Sequence, residues 1–125
     1  IVEPDYFANR KMVEFFGGQM VPVVLEYENE GGRAGIRLES LEEAFKDGVK
    51  LFLFSNPNNP VGCVYSYEEI TGIAALAKKY GVTLIPRRRF AAVLSGGGST
   101  VDGLHLSNYG HEKMAAVVRR CLLFD

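Results

Sequence analysis

The chain is poor in the features that mark secreted, disulfide-bonded or membrane-spanning proteins. Only two of its 125 residues are cysteines, Cys63 and Cys121, and they have neither metal-ligand spacing nor a disulfide framework. Low cysteine usage of this kind favours a reducing, cytoplasmic setting. Apolar runs such as residues 21–25 and 51–54 are far too short to cross a bilayer.

The chain also has no excess of either charge sign. Fourteen basic and 15 acidic residues give a formal net charge of −1, so no overall field attracts nucleic acid or an anionic membrane. We expect no signal peptide, because Glu3, Asp5, Arg10 and Lys11 interrupt the first residues. The remaining composition, 47% hydrophobic and 23% charged, is that of an ordinary soluble globular domain.

Short apolar segments alternate with amphipathic ones along the chain. Apolar and valine-rich stretches predict strands at residues 1–3, 20–27, 49–54 and 82–85. Helices are predicted after Pro4, after capping boxes that begin at Ser40 and Ser66, and after Ser107. This alternation predicts an α/β fold in which a parallel sheet lies between helical layers.

The connecting segments carry less information. Glycine-rich residues 28–37 predict a surface loop, and residues 86–100 predict a turn of helix followed by a triple-glycine loop. The aromatic residues of the first helix are expected in the core or in a helix-packing seam; these are Tyr6, Phe7, Phe15 and Phe16. The basic run Arg87-Arg88-Arg89 is expected to be a solvated face.

One loop carries the first resemblance. The segment Ser55-Asn56-Pro57-Asn58-Asn59-Pro60-Val61-Gly62, together with Glu3-Pro4-Asp5-Tyr6-Phe7 and Gly17-Gly18, resembles pyridoxal-phosphate (PLP) aminotransferases of fold type I. The resemblance covers residues 1 to about 81. It implies that Asn59 donates a hydrogen bond to the phenolic oxygen of PLP. It also implies a three-layer sandwich around a four-stranded parallel sheet of flavodoxin-like order 2-1-3-4, with the first strand between the second and third.

The sequence departs from the aminotransferase pattern after the fourth predicted strand. That pattern has an aspartate there, which holds the pyridine nitrogen protonated, and a tyrosine three residues later. Arg87 and Phe90 occupy these positions, and an arginine would repel a pyridinium. The lysine that binds PLP covalently has no counterpart, and Lys78 and Lys79 are expected to be solvated. We therefore expect no cofactor, with PLP as a residual possibility.

The end of the chain carries a second resemblance, from about residue 82 onward. Val101-Asp102-Gly103-Leu104-His105-Leu106-Ser107, followed by Gly110-His111, resembles the C-terminal block of SGNH (GDSL-type) hydrolases. The resemblance implies that His105 is the general base of a serine esterase and Asp102 its orienting acid. The family's nucleophile stands in a Gly-Asp-Ser signature that this sequence lacks. The local alternative is a capped loop before a helix.

The two resemblances together predict a chimera, engineered or recombined, whose parts join near residues 80–82 in a single α/β domain of residues 1–125. The main hypothesis is a protein without a complete active site. Two alternatives remain: a weak esterase that uses Asp102 and His105, and a residual PLP-binding module that uses Asn59. We expect no metal site and no nucleic-acid or membrane partner. A homodimer through an open sheet edge or helix packing is plausible.

Overall fold

The computed structural model describes residues 1–27 and 32–124, which form two compact units, Ile1–Val82 and Thr83–Asp125. The elements of the first unit are β1 (Val2–Glu3), α1 (Phe7–Phe15), β2 (Val23–Tyr27), β3 (Ala34–Ile36), α2 (Leu38–Lys46) and α3 (Tyr67–Lys79). The second unit contains α4 (Arg87–Leu94) and α5 (Asn108–Phe124). The single domain of residues 1–125 stays a prediction.

The α/β class is confirmed, with a sheet that is smaller than predicted. Within the described ranges the sheet has three strands in the order β1-β2-β3. β1 pairs in parallel with β2, so that Val2 lies opposite Val23. β2 pairs antiparallel with β3, so that Leu25 lies opposite Ile36. The first two predicted strands therefore pair side by side, as the order 2-1-3-4 requires. The four-stranded parallel sheet itself is not found within the described residues.

Two predicted strands, residues 49–54 and 82–85, are not strands in the structure. The side chains of residues 51–54 alternate in exposure: Leu51 and Leu53 are 63% and 40% exposed, whereas Phe52 and Phe54 are partly buried against the core. The segment is thus covered on one face, while a strand inside a parallel sheet needs cover on both faces and a ladder partner. An apolar run alone cannot distinguish these two situations.

The third strand lies inside the predicted loop of residues 28–37. Ala34 and Ile36 are buried and flank the half-buried Gly35. This alternation is that of a strand with one face on the core, although glycine and alanine have low strand propensity. The first part of the predicted loop, residues 28–31, lies outside the described residues.

The helix starts test the predicted capping boxes. At α3 both reciprocal bonds are present: the Glu69 N–H donates to Ser66 Oγ at 3.1 Å, and the Ser66 N–H donates to Glu69 Oε2 at 2.6 Å. The box predicted at Ser40 is wrong, because α2 begins earlier and Arg37 is its N-cap. The Ser40 hydroxyl instead accepts a hydrogen bond from the Arg37 side chain. Ser107 caps α5 as predicted, accepting from the Gly110 N–H at 3.0 Å.

The core of the first unit lies between the sheet, α2 and α3. Its buried members are Val2, Val23, Leu25, Ala34, Ile36, Leu41, Ala44, Phe45, Tyr65 and Ile73. All residues of α1 are described, and none of its side chains is buried. Phe7, Phe15 and Phe16 are 71%, 80% and 75% exposed, so the predicted core or packing seam of this helix is wrong for the first unit. The aromatic side chains of α1 face outward instead.

A buried carboxylate joins β3 to the start of α3. Glu69 is 8% exposed, and its Oε1 accepts from the Ile36 N–H at 2.7 Å. Its Oε2 accepts from the Ser66 N–H and from Arg33 Nη1, at 2.6 and 2.7 Å. Arg33 also donates to the carbonyl of Val64 at 3.1 Å. Burial acts to raise the pKa of Glu69, but the hydrogen bonds from Ser66, Arg33 and Ile36 outweigh it and lower that pKa.

Within the described ranges, every helix is too short or too polar to span a lipid bilayer.

Replacing the buried carboxylate by an amide tests this junction. Glu69→Gln keeps the shape and one acceptor oxygen but removes the charge, so we expect the free energy of unfolding to fall by about 2 kcal/mol at neutral pH. Because the folded-state pKa is lowered, the charge stabilises the fold above the unfolded value of about 4.3 and ceases to do so as the pH falls through the folded value. Urea unfolding from pH 7 to pH 3 measures both effects.

Glu43→Gln is the matched control, since Glu43 is an exposed glutamate within α2. We expect a much smaller change in unfolding free energy for this variant. Equal losses in the two variants, or a loss in Glu69→Gln that does not shrink at low pH, would contradict the assigned role.

Candidate functional site

The loop of residues 55–62 is a closed turn held to the end of β1. Asn58 is 3% exposed. Its backbone N–H donates to the Cys63 carbonyl at 2.8 Å, and its carbonyl accepts from the Gly62 N–H at 2.7 Å. Its side-chain oxygen accepts from the Val61 N–H, and its amide donates to the Pro4 carbonyl, both at 3.2 Å. Gly62 has φ +76°, a conformation that favours glycine. The turn is therefore fixed internally and attached to the sheet.

Two further side chains hold the loop on either side of Asn59. Asn56 Oδ1 accepts from the Tyr65 N–H, and Ser55 Oγ accepts from the Asn59 N–H, both at 3.2 Å. The peptide bonds before Pro57 and Pro60 are cis. Asn59 itself is exposed, and its side-chain amide has no hydrogen-bond partner within the part of the chain that the structure describes. The loop thus presents the exposed Asn59 amide on a backbone held in position.

Sequence reasoning missed the part played by Asn58. The loop pattern drew attention to Asn59, whereas Asn58 makes the buried contacts. One signal was present: a polar residue beside two prolines must satisfy its own hydrogen bonds locally if it is buried. Its partner Pro4 lies 54 positions away, and sequence alone does not reveal that contact.

Tyr65 lies buried behind the loop. It is 4% exposed, and its ring packs against Phe54 with centroids 5.7 Å apart. Its buried hydroxyl has no hydrogen-bond partner within the described residues. The Asn58 amide lies beside that hydroxyl and acts to lower its pKa, but burial dominates and raises the pKa of Tyr65 to about 12. Tyr65 therefore stays protonated and is not a base.

A pocket of 480 Å³ adjoins the attachment point at Pro4. Tyr6 and Phe7 line it with ring centroids 4.9 Å apart, and Arg10, also in the lining, forms an ion pair with Glu3. The volume lies within the range of small-molecule sites. Because Asn58 binds the Pro4 carbonyl, this pocket and the loop belong to the same end of β1.

The second unit holds the residues that depart from the aminotransferase pattern. Arg87 is exposed in the first turn of α4, and Phe90 is half-buried in the same helix. Arg89 is half-buried and donates to Cys121 Sγ at 2.9 Å, so the basic run is a solvated face at Arg87 and Arg88 only. No carboxylate stands at position 87 to pair with a pyridine nitrogen.

The two lysines at the end of α3 are exposed, as expected. Lys79 Nζ donates to Glu42 Oε1 at 2.5 Å, and the Tyr80 hydroxyl donates to the same oxygen at 2.9 Å. The hydrogen bond to Glu42 raises the pKa of Lys79. A lysine that acts as a nucleophile must lose its proton, so this contact joins α2 to α3 and does not prepare an amine for chemistry.

Asp102 and His105 are brought together in the second unit. Asp102 Oδ2 lies 2.5 Å from His105 Nδ1, and Oδ1 accepts from the N–H groups of Leu104 and His105 at 2.9 and 2.7 Å. The hydrogen bond with the His105 side chain is the main cause that lowers the pKa of Asp102. Both side chains are at least half exposed. The carboxylate orients the imidazole and also closes the loop between positions 102 and 105.

Within the described residues, no hydroxyl or thiol group forms a hydrogen bond with the His105 ring. Ser107 Oγ donates to the Gly98 carbonyl at 2.5 Å and accepts from the Gly110 N–H, and Ser99 is 2% exposed. A general base works on a hydroxyl within hydrogen-bond reach. The arrangement is that of the local alternative, a capped loop before a helix.

Residues 1–106 match the family described as aminotransferase class I and II. The aspartate aminotransferase of Sulfolobus acidocaldarius is 28% identical over 85 residues, which are 68% of this chain and 21% of that protein. The crystal structure of an aspartate aminotransferase from Rhodobacter sphaeroides 2.4.1 superimposes with a TM-score of 0.61 and 55% identity, over 79% of this chain and 25% of that one.

A third protein resembles this chain in fold alone. It is a PLP-bound putative aminotransferase from Clostridium difficile 630, with a TM-score of 0.61 and 24% identity, over 97% of this chain and 28% of that one. The chain thus spans about a fifth to a quarter of the length of these relatives.

The matched family supports the aminotransferase part of the prediction and gives no support to a chimera. The match continues through the supposed join at residues 80–82 and includes Asp102 and His105. No comparison supports a hydrolase segment, so the resemblance near the end of the chain rests on a short local pattern. The continuous match over most of the sequence establishes that this chain belongs to the class I and II aminotransferase family.

Proposed function

We propose that this chain forms part of the coenzyme-binding region of a PLP-dependent aminotransferase, in which the Asn59 amide donates a hydrogen bond to the phenolic oxygen of PLP. One observation carries the proposal: Asn59 is exposed and its side chain has no hydrogen-bond partner within the described residues, whereas the side-chain oxygens of Ser55, Asn56 and Asn58 each accept a hydrogen bond. The family match and the PLP named for the Clostridium difficile relative support it.

The surrounding residues would keep this donor in place. Ser55 fixes the Asn59 backbone, and Asn58 ties the turn to Pro4. A donor held before the ligand arrives loses little conformational entropy on binding, which favours affinity. Bound PLP supplies an electron sink for reactions at the substrate carbon.

One position does not fit the coenzyme. Arg87 stands where the aminotransferase pattern has the aspartate that pairs with the pyridine nitrogen, and a guanidinium disfavours a protonated ring. We therefore assign to this chain a contact with the coenzyme and no step of a reaction. PLP is the proposed cofactor, and the esterase alternative is not retained because residues 1–106, which include Asp102 and His105, match the aminotransferase family and no described hydroxyl forms a hydrogen bond with the His105 ring.

A binding titration tests the contact to the phenolic oxygen. Pyridoxine 5′-phosphate keeps the phenol and phosphate but has no aldehyde, so it cannot react with surface lysines. We expect the chain to bind it, and Asn59→Ala to weaken binding roughly tenfold, because a hydrogen bond to a charged oxygen is worth about 1.5 kcal/mol. Fluorescence of the pyridine ring measures the dissociation constants.

Asn108→Ala is the control for that titration, since Asn108 is an exposed asparagine at the start of α5. Its affinity should match that of the unmodified chain. The proposal fails if the unmodified chain does not bind, or if Asn59→Ala and Asn108→Ala bind equally well.

The two adjacent asparagines should differ sharply in their effect on stability. Asn58→Ala removes two buried hydrogen bonds, so we expect the free energy of unfolding to fall by about 2–3 kcal/mol. Asn59→Ala removes no side-chain contact within the described residues and should stay within about 0.5 kcal/mol of the unmodified chain. Urea unfolding monitored by circular dichroism compares them. A larger loss for Asn59→Ala would mean that its side chain supports the loop instead of serving a ligand.

A further inference from the structure

The charge of the chain is divided unevenly between its two units. Residues 1–82 include eight basic and twelve acidic residues, whereas residues 83–125 include six basic and three acidic ones. The net charge of −1 is therefore the sum of a first unit at −4 and a second unit at +3. The expectation that no field attracts a polyanion rests on the whole chain and does not hold for the second unit taken by itself.

Arginines gather at one end of the second unit. Arg89, in the first turn of α4, donates to the Sγ atom of Cys121, which lies near the end of α5. The start of one helix therefore lies against the end of the other. Four further arginines stand one or two positions from this contact and are called the arginine cluster below: Arg87, Arg88, Arg119 and Arg120.

The arginine cluster is not neutralised within the part of the chain that the structure describes. All four side chains are exposed, and none of their guanidinium groups pairs with a carboxylate or another partner among the described residues. Asp102 is engaged by His105, and Glu112 lies about two turns before Arg119 on α5. Four like charges held close together repel one another, so an anion that contacts several of them is favoured.

The type of side chain indicates which anion fits. All four cations are arginines, and a guanidinium presents paired donors that match two oxygens of one phosphate. Several arginines on two adjacent helix ends match a row of phosphates better than a single one. Duplex nucleic acid carries one negative charge per about 1.7 Å of its axis, so neighbouring phosphates can reach all four side chains.

Two other polyanionic partners fit this end less well. A helix on a membrane surface buries an apolar face beside its basic one. Within the described parts of α4 and α5 at this end, Leu122 is the exposed large apolar side chain, whereas Phe90 and Val118 are half-buried. A single-stranded nucleic acid stacks its bases on exposed aromatic rings, and the half-buried Phe90 offers little ring surface for stacking.

We propose that the arginine cluster is a contact surface for the phosphate backbone of duplex nucleic acid. The four guanidinium groups bind phosphates of the duplex, and binding releases the counterions that those phosphates had condensed. Phosphate contacts carry no sequence information by themselves. The affinity of the chain for a duplex therefore depends on the salt concentration and not on the base sequence.

The salt dependence of binding tests the surface. Fluorescence anisotropy measures binding of the full chain to labelled duplex DNA of about 20 base pairs, at salt concentrations from about 20 to 200 mM. Four phosphate contacts predict a slope of about −3.6 for the logarithm of the association constant against the logarithm of the salt concentration. Arg88→Gln/Arg120→Gln removes two contacts, so the slope should fall to about −1.8 and the dissociation constant at low salt should rise roughly tenfold or more.

Two controls separate the contact from a general loss of charge or of structure. Lys113→Gln removes one exposed cation from the first half of α5, outside the cluster, and should leave the slope unchanged, whereas Arg120→Gln should reduce its size by about 0.9. Arg88→Lys/Arg120→Lys keeps both charges and should keep the slope. All variants should retain the circular dichroism spectrum of the unmodified chain, because the replaced arginines contact no described residue.

The proposal is overturned if the chain does not bind the duplex, if the slope is the same in Arg88→Gln/Arg120→Gln, or if two duplexes of unrelated sequence bind with clearly different affinities. It is also overturned if the chain binds phosphatidylserine vesicles or tripolyphosphate more tightly than the duplex at the same salt concentration. Those two results would assign the cluster to a lipid surface or to a small anion.

Discussion

The buried carboxylate of Glu69 is the contact on which the arrangement of the first unit depends. Taking a charge out of water is costly unless hydrogen bonds replace its hydration, and here Ile36, Ser66 and Arg33 supply them. One side chain thereby fixes the edge strand β3, the first turn of α3 and, through Arg33 and Val64, the chain that leaves the 55–62 loop. Because the loop is attached at its other side to β1 through Asn58, its position follows from these two anchors.

The same anchoring explains why the Asn59 side chain is available to a ligand. Polar groups that form hydrogen bonds within a closed turn cannot form those bonds with a ligand. Asn59 is the exception, because Ser55 binds its backbone and leaves its side chain exposed. The proposed coenzyme contact at Asn59 is consistent with family membership. At position 87 the sequence has an arginine where the aminotransferase pattern has an aspartate.

Local contacts could be predicted from the sequence, and contacts between distant segments could not. The capping box of Ser66 and Glu69 follows from a spacing of three residues and is present, as is the bond between Asp102 and His105, also three residues apart. The hydrolase resemblance implied a catalytic role for this second pair, and a capped loop before a helix produces the same spacing. The bond from Arg33 to Glu69 spans 36 positions and left no signal in the pattern. The apolar run of residues 49–54 predicts a strand buried on both faces, but such a run does not reveal how many of its faces are buried.

Amide hydrogen exchange at Ile36 and Ser66 tests the central claim most directly. Both N–H groups donate to oxygens of the one Glu69 carboxylate, so releasing that side chain exposes both at once. The account predicts that the two amides are strongly protected near neutral pH and exchange with the same free energy of opening. If the Ser66 amide exchanges as fast as a solvent-exposed amide while the Ile36 amide stays protected, the carboxylate does not join these elements and the account is wrong.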